Sequence, residues 1–138
     1  MCGRGSLIVP TATNHQHPIN AERVAQAQAR VLSADEAARL GSLLSLMADP
    51  VRSRILDALD LVDELCVGDL ALVLGTTEDA VSYGLRILRT AGLVQTRKAG
   101  RIVYYRLASN FPEPLLERCL RQLVVLSRAV QGLESEES

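Results

Sequence analysis

The stretch Cys66–Gly92, CVGDLALVLGTTEDAVSYGLRILRTAG, decides the fold. CVGDLALVL is almost wholly apolar and stops at Gly75, a natural C-terminal stop, so it predicts a short helix from Cys66 to Leu74. Thr76 or Thr77 then offers a hydroxyl to cap a second helix, which carries Val81, Leu85 and Leu88 on one face and halts at Gly92. Two helices joined by a turn of about three residues have the sequence shape of a helix-turn-helix.

On the C-terminal side the periodicity changes. LVQTRK and RIVYYRL are rich in β-branched and aromatic residues and flank Ala99-Gly100, which predicts a two-stranded hairpin. From Phe111 the chain reads as helical again, with Leu115, Cys119, Leu123, Leu126 and Val130 in one apolar stripe. Cys119 is expected to be a small core residue within it. On the N-terminal side, Leu40, Leu43, Leu44 and Met47 recur at helical spacing until Asp49-Pro50. Pro50 opens a further helix through Ile55, Leu56, Leu59 and Leu61, and Asn20 and Ser33 are candidate N-caps for two earlier helices. The fold class is therefore mainly α with a small β-hairpin: a winged helix-turn-helix extended by helices at both ends. Residues 1–18, rich in Gly, Pro, Thr and Asn, form an arm. Residues 19–133 make the winged-helix and dimerisation domain, and 134–138 an acidic tail.

The whole chain has 138 residues, one domain's worth. Aromatics are 3% with no Trp, so the core must be built from Leu, Val, Ile and Ala, which favours helices over a β-sandwich. No apolar run approaches the roughly 20 residues that a membrane helix needs. Cysteines at positions 2, 66 and 119 are too scattered for a disulfide framework, which points to a cytoplasmic protein with reduced thiols. An enzyme is not expected: there is no HExxH, no Gly-rich phosphate loop after a strand, and no His in a nucleophile–base motif.

The formal charge of −1 conceals a segregation. Between Ser82 and Arg106 stand six basic residues and no acidic one, leaving −7 for the rest of the chain. On the second helix of the pair, Ser82, Tyr83, Arg86 and Arg89 lie opposite the apolar face, with Thr77 at its entrance. Such a face suits the major groove, where Arg binds guanine edges bidentately. Arg97, Lys98 and Arg101 surround the hairpin tip, where a wing meets the phosphate backbone. The partner so implied is double-stranded operator DNA. One reading helix and one wing make few base contacts, so a homodimer is expected, joined through the terminal apolar stripe and the helices bearing Leu40, Leu43 and Leu44.

A second chemistry sits beside the first. Cys66 and Asp69 are three residues apart, one face of a helix, and the arm supplies Cys2, His15 and His17. Thiolate, imidazole and carboxylate together suit tetrahedral Zn(II), with Cd(II) or Pb(II) as softer competitors. An extended arm before Pro18 turns His15 and His17 to opposite sides, so the two need not bind together.

Glu64–Leu107, ELCVGDLALVLGTTEDAVSYGLRILRTAGLVQTRKAGRIVYYRL, with the upstream MADPVRSRIL (Met47–Leu56), resembles the core of the ArsR/SmtB family of bacterial metal-sensing repressors. The resemblance covers about residues 36 to 130, and ELCVGDL is similar to the metal box of the zinc- and cadmium-sensing branch. It implies a homodimer that occupies its operator when metal-free and leaves it when an ion joins Cys66 and Asp69 to Cys2 and His15 or His17 of an arm, usually the partner's. Two departures stand out. The second metal site of many members would map to Ser109, Phe111, Gln122 and Val125, no ligand set, so that site is expected to be absent. Gly84 stands where members usually carry His, and is expected to allow a close approach to DNA. The alternative is a thiol-redox-responsive repressor on the same fold, using Cys66 with Cys2 or Cys119.

Overall fold

The structure, a computed structural model, describes residues 16–111 and 119–137. Contacts divide the chain into two compact units, Met1–Gly41 and Ser42–Ser138. Among the described residues the elements run α1 (Ala21–Arg30), α2 (Ala34–Met47), α3 (Pro50–Leu61), β1 (Leu65–Cys66), α4 (Val67–Leu74), α5 (Glu78–Thr90), β2 (Val94–Ala99), β3 (Ile102–Leu107) and α6 (Arg121–Glu137). This is a winged helix-turn-helix with helical extensions. None of the described helices is long and apolar enough to cross a membrane.

Local chemistry sets the helix starts. Asn20 caps α1, its Oδ1 accepting from the Arg23 N–H at 2.9 Å. Ser33 and Glu36 form a reciprocal capping box at α2: Ser33 Oγ accepts from the Glu36 N–H and Glu36 Oε1 from the Ser33 N–H, both at 3.0 Å. Asp49 caps α3 through the Arg52 N–H, with Pro50 in the first turn, where its missing N–H costs nothing. Of the two threonines, Thr77 caps α5, its Oγ1 accepting from the Ala80 N–H at 3.1 Å. Gly75 closes α4 in the left-handed region (φ 68°), donating to the Ala71 carbonyl at 2.8 Å, so the helix-to-helix turn is Gly75–Thr77.

The second unit is organised around α3. Ile55, Leu56, Ala58 and Leu59 of α3 meet Leu70, Ala71 and Leu74 of α4, Val81, Leu85 and Leu88 of α5, and Val94 of β2, all buried. Tyr105 and Leu107 of β3 and Leu65 of β1 pack against this cluster. Leu120 does so too, and Arg121 pairs with Asp57 of α3 at 3.0 Å.

In five places the structure differs from the sequence reading, the last being Cys119, which is exposed and not a core residue. The hairpin belongs to a three-stranded antiparallel sheet of order β1-β3-β2, since Leu65 and Cys66 pair with Tyr105 and Tyr104. Cys66 is consequently not in the first turn of α4. It is the N-cap, extended at φ −86° and ψ 171°, and the helix begins at Val67. The hairpin tip is Gly100-Arg101, because Ala99 pairs with Ile102 and Gly100 supplies the positive φ (65°) that a two-residue turn requires. Gly84 turns inward, away from the exposed face of α5: a Cβ there would lie 3.1 Å from Ile55 Cδ1 and 3.4 Å from Arg52 Cγ. Its role is to let α5 approach α3, which makes it a packing residue and not a DNA-facing one.

Cys119 is exposed, as are Leu123, Leu126 and Val130 further along the same stripe. The core of α3, α4 and α5 is complete without them, so the stripe is surface in the single chain. Leu115 lies outside the described residues.

The helix approach at Gly84 can be tested by urea unfolding. Gly84→Leu overpacks the α3–α5 contact and should lower stability by about 1–3 kcal/mol. Gly84→Ala, whose gain in helix propensity offsets a tight contact with movable side-chain ends, should stay within about 1 kcal/mol of the parent.

Candidate DNA-reading face and metal box

Burial of Val81, Leu85 and Leu88 fixes which side of α5 faces outward. Tyr83, Arg86 and Arg89 are exposed there, with Ser82 half-buried at the edge. Thr77 is exposed at the helix entrance, but its hydroxyl already accepts the capping hydrogen bond. Ser82, Leu85, Arg86, Arg89 and Thr90 line a cavity of about 510 Å³ that is closed on the wing side by Tyr105 of β3. Lys98 and Arg101 are both exposed at the tip of the wing. A reading helix, a groove with hydroxyls and guanidinium groups, and a basic wing tip thus belong to one unit.

Strand register divides the basic window between two faces. Residues directly opposite in an antiparallel sheet project to the same side, and successive residues alternate. Leu65, Tyr105 and Thr96 form one row, on the side that packs against the core. Cys66, Tyr104 and Arg97 form the next row, on the opposite side.

Arg97 is therefore set apart from the α5 groove. Its Nε donates to Glu64 Oε2 at 3.1 Å, an NH2 contact to Glu64 Oε1 makes the pair bidentate, and its guanidinium carbon lies 4.7 Å from the Tyr104 ring centroid. The hydrogen bonds from Arg97 hold the Glu64 carboxyl below its ordinary value. Desolvation opposes this, and the charges of Arg97 and Arg106 reinforce it. Glu64 and Tyr104 are not among the residues that charge and spacing single out. The signal that could have found them is alternation: Glu64 is two residues before Cys66, and VYY must send its two tyrosines to opposite faces.

Cys66 and Asp69 sit at the N-terminal end of α4, as cap and first-turn residue. The thiol is half-buried and makes no side-chain capping hydrogen bond, and Asp69 is exposed. One soft and one hard donor at a single helix end fit part of a four-coordinate site for a borderline ion. Among the described residues no three His, Cys, Asp or Glu side chains are grouped to hold a metal, so any further donors must be brought to this pair. His17 is exposed within the first unit, while Cys2 and His15 lie outside the described residues. Cys66 and Cys119 are free thiols.

Comparison with known proteins follows the same lines. Residues 49–96 match the family model described as bacterial regulatory protein, arsR family. A transcriptional repressor SmtB homolog of Synechocystis is 47% identical over 92 residues, 67% of this chain and 69% of that protein. A cadmium resistance transcriptional regulatory protein CadC homolog of Staphylococcus aureus is 32% identical over 79 residues, 57% of this chain and 65% of that one. The solution structure of apo-NmtR superposes with a TM-score of 0.57 at 36% identity, covering 67% of this chain and 77% of the other. With a winged helix-turn-helix whose reading helix and basic tip are in place, and a relative this similar over most of its length, the chain belongs to the ArsR/SmtB family of bacterial transcriptional regulators.

Proposed function

We propose that the protein is a metal-responsive repressor that binds operator DNA as a homodimer when metal-free and is released by Zn(II), Cd(II) or Pb(II). The observation that carries this reading is the position of Cys66, an uncapped, half-buried thiol that ends the strand beside the wing and starts the first helix of the reading pair. The similarity to a cadmium resistance transcriptional regulatory protein supports Cd(II) among these ions. A bound ion would join the Cys66 thiolate and the Asp69 carboxylate to Cys2 and to His15 or His17 of the arm.

The chain's own residues divide the remaining work. Arg86 and Arg89 read base edges from α5, Ser82 and Tyr83 reach bases or phosphates, Thr77 orients the helix start, and Lys98 and Arg101 hold the flanking backbone. Fastening the arm at Cys66 favours a dimer geometry that fits the operator badly. A hundredfold loss of affinity requires a coupling of about 2.7 kcal/mol, modest beside the roughly 10 kcal/mol or more that such ions supply on binding. A second copy is expected on α6, where Leu123, Val124, Val125, Leu126 and Val130 are 48–63% exposed, a larger apolar face than a monomer usually leaves in water.

Three outcomes are expected. Cys66→Ser should bind operator as the parent does, measured by fluorescence anisotropy, but lose most of its Zn(II)-, Cd(II)- and Pb(II)-induced release; parental release would remove Cys66 from the mechanism. Arg86→Ala should weaken specific binding by about 1–3 kcal/mol and relax the base preference, whereas Lys98→Ala should weaken all sequences alike and reduce the salt slope by about 0.9. Leu123→Glu with Leu126→Glu should sediment as a monomer in analytical ultracentrifugation and bind operator at least about a hundredfold more weakly.

A further inference from the structure

We propose that Glu64 and Arg97 are positioning residues that tie the Cys66 strand to the wing, so that Arg97 transmits metal occupancy instead of contacting DNA. The proposal deepens the metal-responsive reading above and rests on it for its regulatory half.

In the sheet order β1-β3-β2 the strand carrying Cys66 and the strand running to the wing tip are not neighbours. The backbone links between them all pass through β3. On the Cys66 side that link is thin, because β1 has only two residues, Leu65 and Cys66. Glu64 bridges the gap directly: its carboxylate reaches across β3 to the Arg97 guanidinium in a bidentate pair, with the Tyr104 ring beneath the guanidinium at 4.7 Å. Since Tyr104 faces Cys66 on one side and Arg97 on the other, the three side chains and Glu64 make one continuous patch on the sheet face turned away from the core.

Two physical arguments give this patch its role. First, Arg97 commits two of its five N–H donors to Glu64, which counters its charge, and it does not line the cavity of Arg86 and Arg89. A phosphate would meet a guanidinium whose charge a carboxylate already counters, which weakens the attraction. Second, an exposed ion pair contributes little to stability, so a bidentate, ring-stacked pair across three strands is better explained by the geometry it imposes. Held at both edges, the sheet moves as one body: a shift of Cys66 passes to β3 at Tyr104 and to β2 through Glu64–Arg97, and so to Lys98 at the tip. Without the tie only the two-residue pairing of β1 with β3 carries the shift, and less of it reaches the tip.

The paired neutral variant Glu64→Gln/Arg97→Gln in the full-length chain tests this without changing net charge. It should take up Zn(II) with the parental stoichiometry and bind metal-free operator within about twofold of the parent, with an unchanged salt slope. Its Zn(II)-induced loosening of the operator complex should fall to less than about a tenth of the parental factor. Amide hydrogen exchange at residues 64–66 should quicken by at least about tenfold in the metal-free protein. The charge swap Glu64→Arg/Arg97→Glu should restore both release and protection. Parental release in the neutral pair, or a salt slope smaller by about 0.9, would overturn the proposal, the latter by making Arg97 a phosphate contact. A parent that binds Zn(II) yet keeps its operator would overturn the metal-responsive reading itself. The exchange rates are independent of that result, and unchanged exchange would overturn the tie.

Discussion

Cys66 is held by two elements at once. As the last residue of β1 it pairs with Tyr104 of the wing, and as N-cap of α4 it fixes where the first helix of the reading pair begins. A displacement of its backbone must move a strand, a helix or both, since the main chain on either side is committed to hydrogen bonds. Through this shared residue, wing strand, first helix and thiol belong to one mechanical unit. The core enforces the unit from behind: Leu70 and Leu74 of α4 and Leu85 and Leu88 of α5 are buried against Ile55, Leu56 and Leu59 of α3. The inward-facing Gly84 lets α5 come close enough for that packing.

The basic window looks uniform along the chain but is sorted in space. Register places Thr96 and Tyr105 on the core side of the sheet and Arg97 and Tyr104 on the other, where Glu64 waits. Arg86 and Arg89 stand exposed on α5 and Arg101 at the tip, while Arg97, taken by Glu64, and Arg106 lie on the thiol's side. Charge counted along a sequence therefore overstates the charge offered to a phosphate backbone, because alternation in a strand sends neighbouring cations to opposite faces.

Features governed by local chemistry are legible in the amino-acid sequence: Asn20 and Ser33 as caps, a threonine of the pair Thr76-Thr77 as another, Pro50 as a helix opener, Gly75 as a stop, the Val81–Leu85–Leu88 face, and the hairpin. What escapes it depends on distant partners. A two-residue strand has no periodicity to detect, so β1 emerges only through its pairing with β3, and with it the true place of Cys66. Gly84 reads as a weakness in a helix until Ile55 is known to lie against it. Glu64 resembles any exposed acid until a residue thirty-three positions away is folded next to it. Cys119 reads as a small core residue, yet one copy of the chain leaves it exposed beside Leu123, since apolar periodicity does not say whose core a residue joins.

The claim on which the rest depends is that the ion is held at Cys66, where wing and helix meet. X-ray absorption of the Zn(II) and Cd(II) complexes tests it directly, by counting sulfur neighbours in the parent and in Cys66→Ser. A four-coordinate shell of sulfur with nitrogen or oxygen that loses one sulfur in the variant is the predicted result. A shell without sulfur, or one identical in both proteins, would contradict it.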